Sequence, residues 1–221
     1  MAWTIADREF MSRALELAAK GRYTASPNPT VGCVLVRDAS AIGEGYTRPA
    51  GGNHAEIEAL GDLSKAATSG ATAYVTLEPC SHTGKTGPCV DALINAEISR
   101  VVIACEDPNP KVAGQGIKLL EQAGIEVACG LFEDQAREIN RGFIKRHEHG
   151  TPWVLVKMAA SLDGRTAMAS GQSQWITTPA SRKDVQRLRA ASCAIITGIG
   201  TQMMDDPSLT VRINNDDVGV E

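Results

Sequence analysis

His54, Glu56, Cys80 and Cys89 are the residues of this chain whose types and spacing could do chemistry together. One imidazole and two thiols make three metal donors, the number a catalytic Zn²⁺ site takes from the protein while leaving a fourth position for water. Glu56, two residues after the imidazole, is left over to move protons. A structural zinc would need a fourth protein ligand. His82 is the nearby candidate, and a structural site leaves Glu56 without a task.

Each cysteine follows a proline, in Pro79-Cys80 and Pro88-Cys89, and the eight residues Ser81 to Pro88 separate them. That insertion holds Lys85 in a glycine-flanked loop, where an ammonium suits a phosphate as a point charge. A surface-loop lysine is also commonly just solvated. His82 is either a substrate donor or a plain loop histidine. Asn28, clamped between Pro27 and Pro29, has a side chain able to pair with an amide or pyrimidine edge. It reads equally as an ordinary turn residue. His147 and His149 fall at a helix C-terminus, where the dipole favours cations, and read as structural.

The elements that must position these groups alternate between strand and helix. Helical spacing covers Ile5 to Lys20, and Gly21 stops it. Val31 to Val36 reads as a strand, with Ala41 to Tyr46 as its hairpin partner. His54 to Leu63 reads as a helix with His54 and Glu56 in its first turn, and a helix over Pro88 to Ala96 begins at Cys89. Strands are predicted at Ala73 to Leu77, Arg100 to Cys105 and Glu126 to Cys129, with a helix over Gly116 to Ala123. This alternation predicts a layered α/β domain. Both ligand segments therefore sit where the chain enters a helix, a place that favours thiolate over thiol. A long helix over Phe132 to His149 closes the domain, and Gly150-Thr151-Pro152 marks a boundary. Strand Trp153 to Met158, helix Pro179 to Ala190 and strand Cys193 to Ile196 then open a second α/β unit.

Composition narrows the function classes. The chain has 221 residues, 43% hydrophobic and 22% charged, enough to bury a core. A net charge of −4 and 4% aromatic residues disfavour a nucleic-acid surface, which needs basic grooves and stacking rings. No apolar run approaches a membrane span, and the N-terminus lacks a signal-peptide profile. The expected location is the cytoplasm, where clustered cysteines are ligands more often than disulfides. Cys33, Cys105, Cys129 and Cys193 lie in apolar, strand-like runs and read as small buried hydrophobes.

In order, His54-Ala55-Glu56 and the two Pro-Cys pairs match the general pattern of zinc deaminases. Pro27-Asn28-Pro29-Thr30-Val31-Gly32 and the run from Glu78 through Cys89 make the likeness specific. With them the chain resembles the bifunctional deaminase/reductases of riboflavin biosynthesis. The long ligand-to-ligand insertion separates that family from cytidine, tRNA and DNA deaminases; Gly87 stands where the family usually has a second proline. The resemblance implies a three-layer, cytidine-deaminase-like domain over residues 1–149. It implies hydrolytic deamination of 2,5-diamino-6-ribosylamino-4(3H)-pyrimidinone 5′-phosphate, with His54, Cys80 and Cys89 holding Zn²⁺. Glu56 would take a proton from the attacking water and deliver it to the departing ammonia. Asn28, His82 and Lys85 would bind the phosphorylated ribosylaminopyrimidine. A tRNA-type deaminase is the alternative reading. The family tends to form dimers or larger homo-oligomers, with no nucleic acid or membrane partner.

Residues 150–221 carry a second match in Lys157 to Arg165, Ser173-Gln174-Trp175-Ile176 and Gly200-Thr201 through Pro207. It implies the N-terminal, incomplete part of a dihydrofolate-reductase-like, NADPH-dependent reductase domain that reduces the ribosyl chain to ribityl. Ala159, Trp175, Thr201 and Asp205 would contact the cofactor, and Ser173, Arg189, Leu209 and Arg212 the substrate. Without the resemblance, Arg189 reads as a solvated helix face and Trp175 as core. The family's reductase extends well beyond residue 221, and Gly198-x-Gly200 is too short to be a dinucleotide fingerprint.

Overall fold

The computed structural model describes residues 2–83, 87–110 and 112–214. The chain divides into two compact units, Met1–Trp153 and Val154–Glu221. Among the described residues no helix is long and apolar enough to cross a membrane.

Five strands carry the first unit: β1 (Gly32–Arg37), β2 (Ser40–Tyr46), β3 (Thr72–Val75), β4 (Arg100–Ile103) and β5 (Glu126–Cys129). Their order is β2-β1-β3-β4-β5. β1 runs antiparallel to both its neighbours, whereas β3, β4 and β5 are parallel. Asp38 and Ala39, with φ of 51° and 59°, turn β1 into β2. Such a left-handed two-residue turn matches the twist of the strands it joins. Parallel neighbours require crossovers, and α4 (Cys89–Asn95) and α5 (Gln115–Gln122) supply them.

Helices cover both faces of the sheet, giving three layers. Cross-strand register pairs Cys33 with Gly45 and Val34 with Tyr74, so these two pairs point to opposite faces. On the Tyr74 face lies α1 (Ile5–Lys20), with the Phe10 ring 5.5 Å from that of Tyr74. On the Gly45 face lies α2 (Ala55–Leu60), followed by the short α3 (Lys65–Thr68). A Cβ at Gly45 would run into the Ala55 carbonyl oxygen and the Ala59 nitrogen, so glycine is what lets α2 lie on the sheet. Between the layers, Val34, Leu35, Val75 and Val101 from the strands meet Met11, Leu93 and Leu120 from the helices, all fully buried. Burial of each large aliphatic side chain stabilises the fold by about 1.5–3 kcal/mol.

The single helix expected over 132–149 is two: α6 (Glu133–Ile139) and α7 (Arg141–His149). Asn140 interrupts them, at φ −106° and ψ 18°. Its buried carboxamide bonds the backbone of Thr30, 110 residues away, and a short polar side chain so engaged gives up regular helix. α2 is also shorter than expected, ending at Gly61, and His54 is its N-cap residue.

In the second unit, α8 (Pro179–Ala190) and α9 (Ile199–Asp205) form. The stretches Trp153 to Met158 and Cys193 to Ile196, expected as strands, pair with no strand among the described residues. Val154, Val156 and Ile196 are accordingly exposed. A strand gains its stability from neighbours, and none flanks these. Cys33 and Cys105 are buried as expected, but Cys129 and Cys193 are exposed. Cys129 ends the edge strand β5, and Cys193 lies on irregular backbone outside the sheet. Of the polar tail from Asn214 on, residues 215–221 lie outside the described residues.

One buried charge ties α1 to the sheet. The Asp7 carboxylate closes a capping box with Thr4 and accepts from Tyr74 Oη at 3.0 Å and Arg100 Nη1 at 2.7 Å. Burial works to raise its pKa. Hydrogen bonds from Arg100, Thr4 and Tyr74 overcome that and hold it well below the ordinary carboxylate range. A depressed pKa contributes stability above the unfolded value near about 4, and that stability is lost as pH falls below it. Asp7→Asn is therefore expected to cost about 2–3 kcal/mol at pH 7. Urea titrations at neutral pH and near pH 3 should show the gap to wild type shrinking in acid. A gap independent of pH would contradict this assignment.

Candidate metal centre

His54 precedes the first turn of α2, Cys89 opens α4, and Cys80 lies in the loop that leaves β3. Their donor atoms converge. His54 Nδ1 is 3.5 Å from Cys80 Sγ and 3.3 Å from Cys89 Sγ, and all three atoms lie within 4.8 Å of one another. The Cys89 N–H donates to Cys80 Sγ at 3.4 Å, so the helix start that carries one ligand also orients the other. His82, the candidate fourth ligand, is not in this group among the described residues.

Glu56 is 3% exposed, in the first turn of α2 beside the cluster. Burial, and then the charge of Cys80, push its carboxyl up to about 7, in the range suited to proton transfer near neutrality. Cys80 moves the other way, down to about 4, because the Cys89 thiol, the His54 ring and the Cys89 N–H all donate to it. The same thiol–thiolate contact, with burial, raises Cys89, and the contact with Cys80 raises His54. Two thiols and one imidazole turned toward a common point, with an opening on one side, fit a tetrahedral Zn²⁺ that keeps a position for water.

That opening is a cavity of about 330 Å³. His54, Glu56 and Cys80 line it, and so does Asn28 between Pro27 and Pro29. His82 lines it as well. Lys85 lies outside the described residues. The structure adds groups that local sequence pattern does not single out: Thr47, Asp107, Asn109 and Phe143. Asp107 is buried, and that burial raises its carboxyl to about 6. The nearest signal for Asp107 and Asn109 is the Asp107-Pro108-Asn109-Pro110 run, which otherwise reads as a turn.

Glu78 holds this end of the sheet together. Its Oε1 accepts from the N–H groups of Gly116 (2.8 Å) and Ile117 (3.2 Å), and its Oε2 from Gly114 (3.0 Å) and Asp107 (3.2 Å). The carboxylate thus fastens the loop carrying Cys80 to the start of α5 and to the Asp107 turn. Packing is tight enough that a Cβ at Gly116 would strike the Pro79 carbonyl oxygen.

In the second unit, Arg189 and Arg212 are brought together around Leu209. Both donate to the Ser208 and Thr210 carbonyls, Arg189 at 3.0 and 3.1 Å, and Arg212 at 2.8 and 3.4 Å. Burial and the neighbouring Arg212 lower the Arg189 pKa. Thr201 and Asp205 share one face of α9. Trp175 is 70% exposed under the Arg182 guanidinium, not core, and Ala159 and Ser173 are half-buried on irregular backbone.

Residues 4–105 match the cytidine and deoxycytidylate deaminase zinc-binding region, so the cluster lies in a zinc-binding segment. Residues 152–219 match the RibD C-terminal domain, which makes the second unit the start of that domain. The riboflavin biosynthesis protein RibD of Escherichia coli is 57% identical over 206 residues, covering 93% of this chain and 56% of the relative. An Acinetobacter baumannii RibD structure superposes with a TM-score of 0.90 at 54% identity, over 94% of this chain and 58% of that one. A Thermotoga maritima diaminohydroxyphosphoribosylaminopyrimidine deaminase/5-amino-6-(5-phosphoribosylamino)uracil reductase gives 0.89 at 41% identity, over 94% and 60%. The chain spans little more than half the length of each.

Glu78→Gln keeps the shape of the latch but turns one acceptor into a donor facing backbone N–H groups. Expected is a loss of roughly 2–4 kcal/mol with faster release of zinc to a chelator. Thermal unfolding and chelator kinetics would read both, and unchanged values in the variant would show that the latch does not support the metal loop.

Proposed function

The chain belongs to the RibD family over the stretch it spans, and we propose that its first unit is a zinc-dependent deaminase. Its proposed substrate is 2,5-diamino-6-ribosylamino-4(3H)-pyrimidinone 5′-phosphate. One observation carries the reading: a buried carboxyl, Glu56, lines the same cavity as His54 and Cys80, whose donor atoms meet that of Cys89. Zn²⁺ held by those three residues supplies the Lewis acidity that makes water a nucleophile near neutral pH. Glu56 takes the proton from the attacking water at its carboxylate oxygen and passes it to the departing amine. Its burial keeps that proton from bulk solvent. Asn28 pairs with the pyrimidine edge, while His82 and Lys85, in the insertion between the two cysteines, take the phosphorylated ribosyl end. Phe143 and the prolines flanking Asn28 keep the cavity dry around a planar ring.

Residues 1–149 are read as the deaminase domain. Residues 150–221 are read as the N-terminal part of an NADPH-dependent reductase domain, with Ala159, Trp175, Thr201 and Asp205 on the cofactor side. Ser173, Arg189, Leu209 and Arg212 are assigned to its substrate. The convergence of Arg189 and Arg212 on the same two carbonyls makes a paired cation suited to a phosphate. The partner is a small molecule rather than a nucleic acid, in keeping with the net charge of −4. A homo-oligomer is proposed on the family resemblance.

The test is ammonia release from that pyrimidinone phosphate by zinc-loaded protein, with NADPH oxidation followed in the same tube. Ammonia is expected. Glu56→Gln is expected to lower release by at least about 10²–10⁴-fold while zinc stays bound. No ammonia from zinc-loaded protein, retained turnover in the variant, or ammonia from tRNA instead would each overturn the reading.

A further inference from the structure

Asn140 belongs to none of the sequence motifs, yet it is 5% exposed and fully engaged. Its Oδ1 accepts from the Thr30 N–H at 2.8 Å and from the Thr30 hydroxyl at 3.1 Å, and its Nδ2 donates to the Thr30 carbonyl at 2.8 Å. One planar amide therefore grips both backbone groups of a single residue. Among neutral side chains only a carboxamide offers an acceptor and a donor side by side for this.

The grip is anchored on its own side. The Asn140 N–H donates to the Ala136 and Arg137 carbonyls, and its carbonyl accepts the Ile144 N–H at 2.9 Å, so the residue is fixed to both α6 and α7. The far side is set by the sheet. Val31 N–H donates to Thr47 Oγ1 and Gly32 N–H to Thr76 Oγ1, each at 3.0 Å. Only Pro29 stands between Thr30 and Asn28, and its ring fixes φ. With Thr30 held, Asn28 has little backbone freedom. Asn28 and Pro29 line the cavity, and so does Phe143, three residues beyond Asn140 on α7.

We propose that Asn140 is a positioning residue for the deaminase pocket: its clamp on Thr30 sets the placement of Asn28 against the substrate ring. This rests on the deaminase reading above. It assigns Asn140 a role in substrate binding rather than in the metal or the proton transfer, because the contact reaches the segment that carries Asn28 and Pro29 rather than the helix starts that carry Glu56, His54 and Cys89.

The experiment is a double-mutant cycle on the full chain, zinc-loaded, reading KM and kcat for ammonia release from the pyrimidinone phosphate. Asn140→Asp is nearly isosteric but sets a carboxylate oxygen against the Thr30 carbonyl. Asn140→Ser is the second variant, used if the first does not fold. The expected result is a KM raised about tenfold, with kcat within about twofold and zinc content unchanged. In an Asn28→Ala background the same substitution should change KM by less than about twofold, since it acts through Asn28. Equal KM effects in both backgrounds, or lost kcat and zinc at unchanged KM, would overturn the positioning role while wild-type turnover stands. Wild-type protein that releases no ammonia overturns the functional reading and this role with it.

Discussion

Everything at the candidate site depends on two helix starts meeting over the same end of one sheet. His54 caps α2 and Cys89 opens α4, and their donor atoms are 3.3 Å apart. That meeting is possible because β2 offers α2 a glycine at position 45 where any side chain would hold the helix away. Cys80 joins from the loop after β3, turned by the N–H of Cys89. Glu78, two residues upstream, spends its whole carboxylate on four backbone N–H groups of the next crossover. The ligands are thus placed by backbone contacts, which are stiffer than side-chain packing, and the geometry is in place before any substrate arrives.

The electrostatics follow from that placement. A buried carboxyl, two thiols and an imidazole share a confined space, and isolated charges there are costly. The protein distributes protons accordingly. Cys80 favours thiolate, Cys89 is held as thiol by its neighbour, and burial, with the charge of Cys80, raises the Glu56 carboxyl above its ordinary range. A dication among the donors is the natural counter-charge to two thiolates. It leaves Glu56, which is not a donor, free to carry a proton. Asp107, also buried with a raised pKa, brings a second carboxyl to the same cavity.

Much of this was legible in the sequence because it is local. A His-x-Glu and a Pro-Cys pair at predicted helix starts, with a second Pro-Cys pair just after a predicted strand, give the donor count and the leftover carboxylate without coordinates. What pattern missed depends on distant segments. Phe143 and Asn140 come from the end of the unit, and a helical run of apolar positions gives no hint that Asn140 breaks it to hold Thr30. Asp107 and Asn109 look like turn residues until the sheet brings them under Glu78 and beside the cavity. The second unit fails differently. Trp153 to Met158 and Cys193 to Ile196 have the composition of strands, but a strand is made by pairing, and no partner lies among the described residues.

The proposed zinc centre joins one imidazole and two thiolates, with an open fourth position beside Glu56. X-ray absorption at the zinc edge of the loaded protein reads that shell. Two sulfur scatterers are expected at about 2.3 Å and two light-atom scatterers at about 2.0–2.1 Å, only one of them with the outer-shell signature of an imidazole. A second imidazole, from His82, would close the fourth position. That result, or a shell without two sulfurs, would rule out an open catalytic site of this composition.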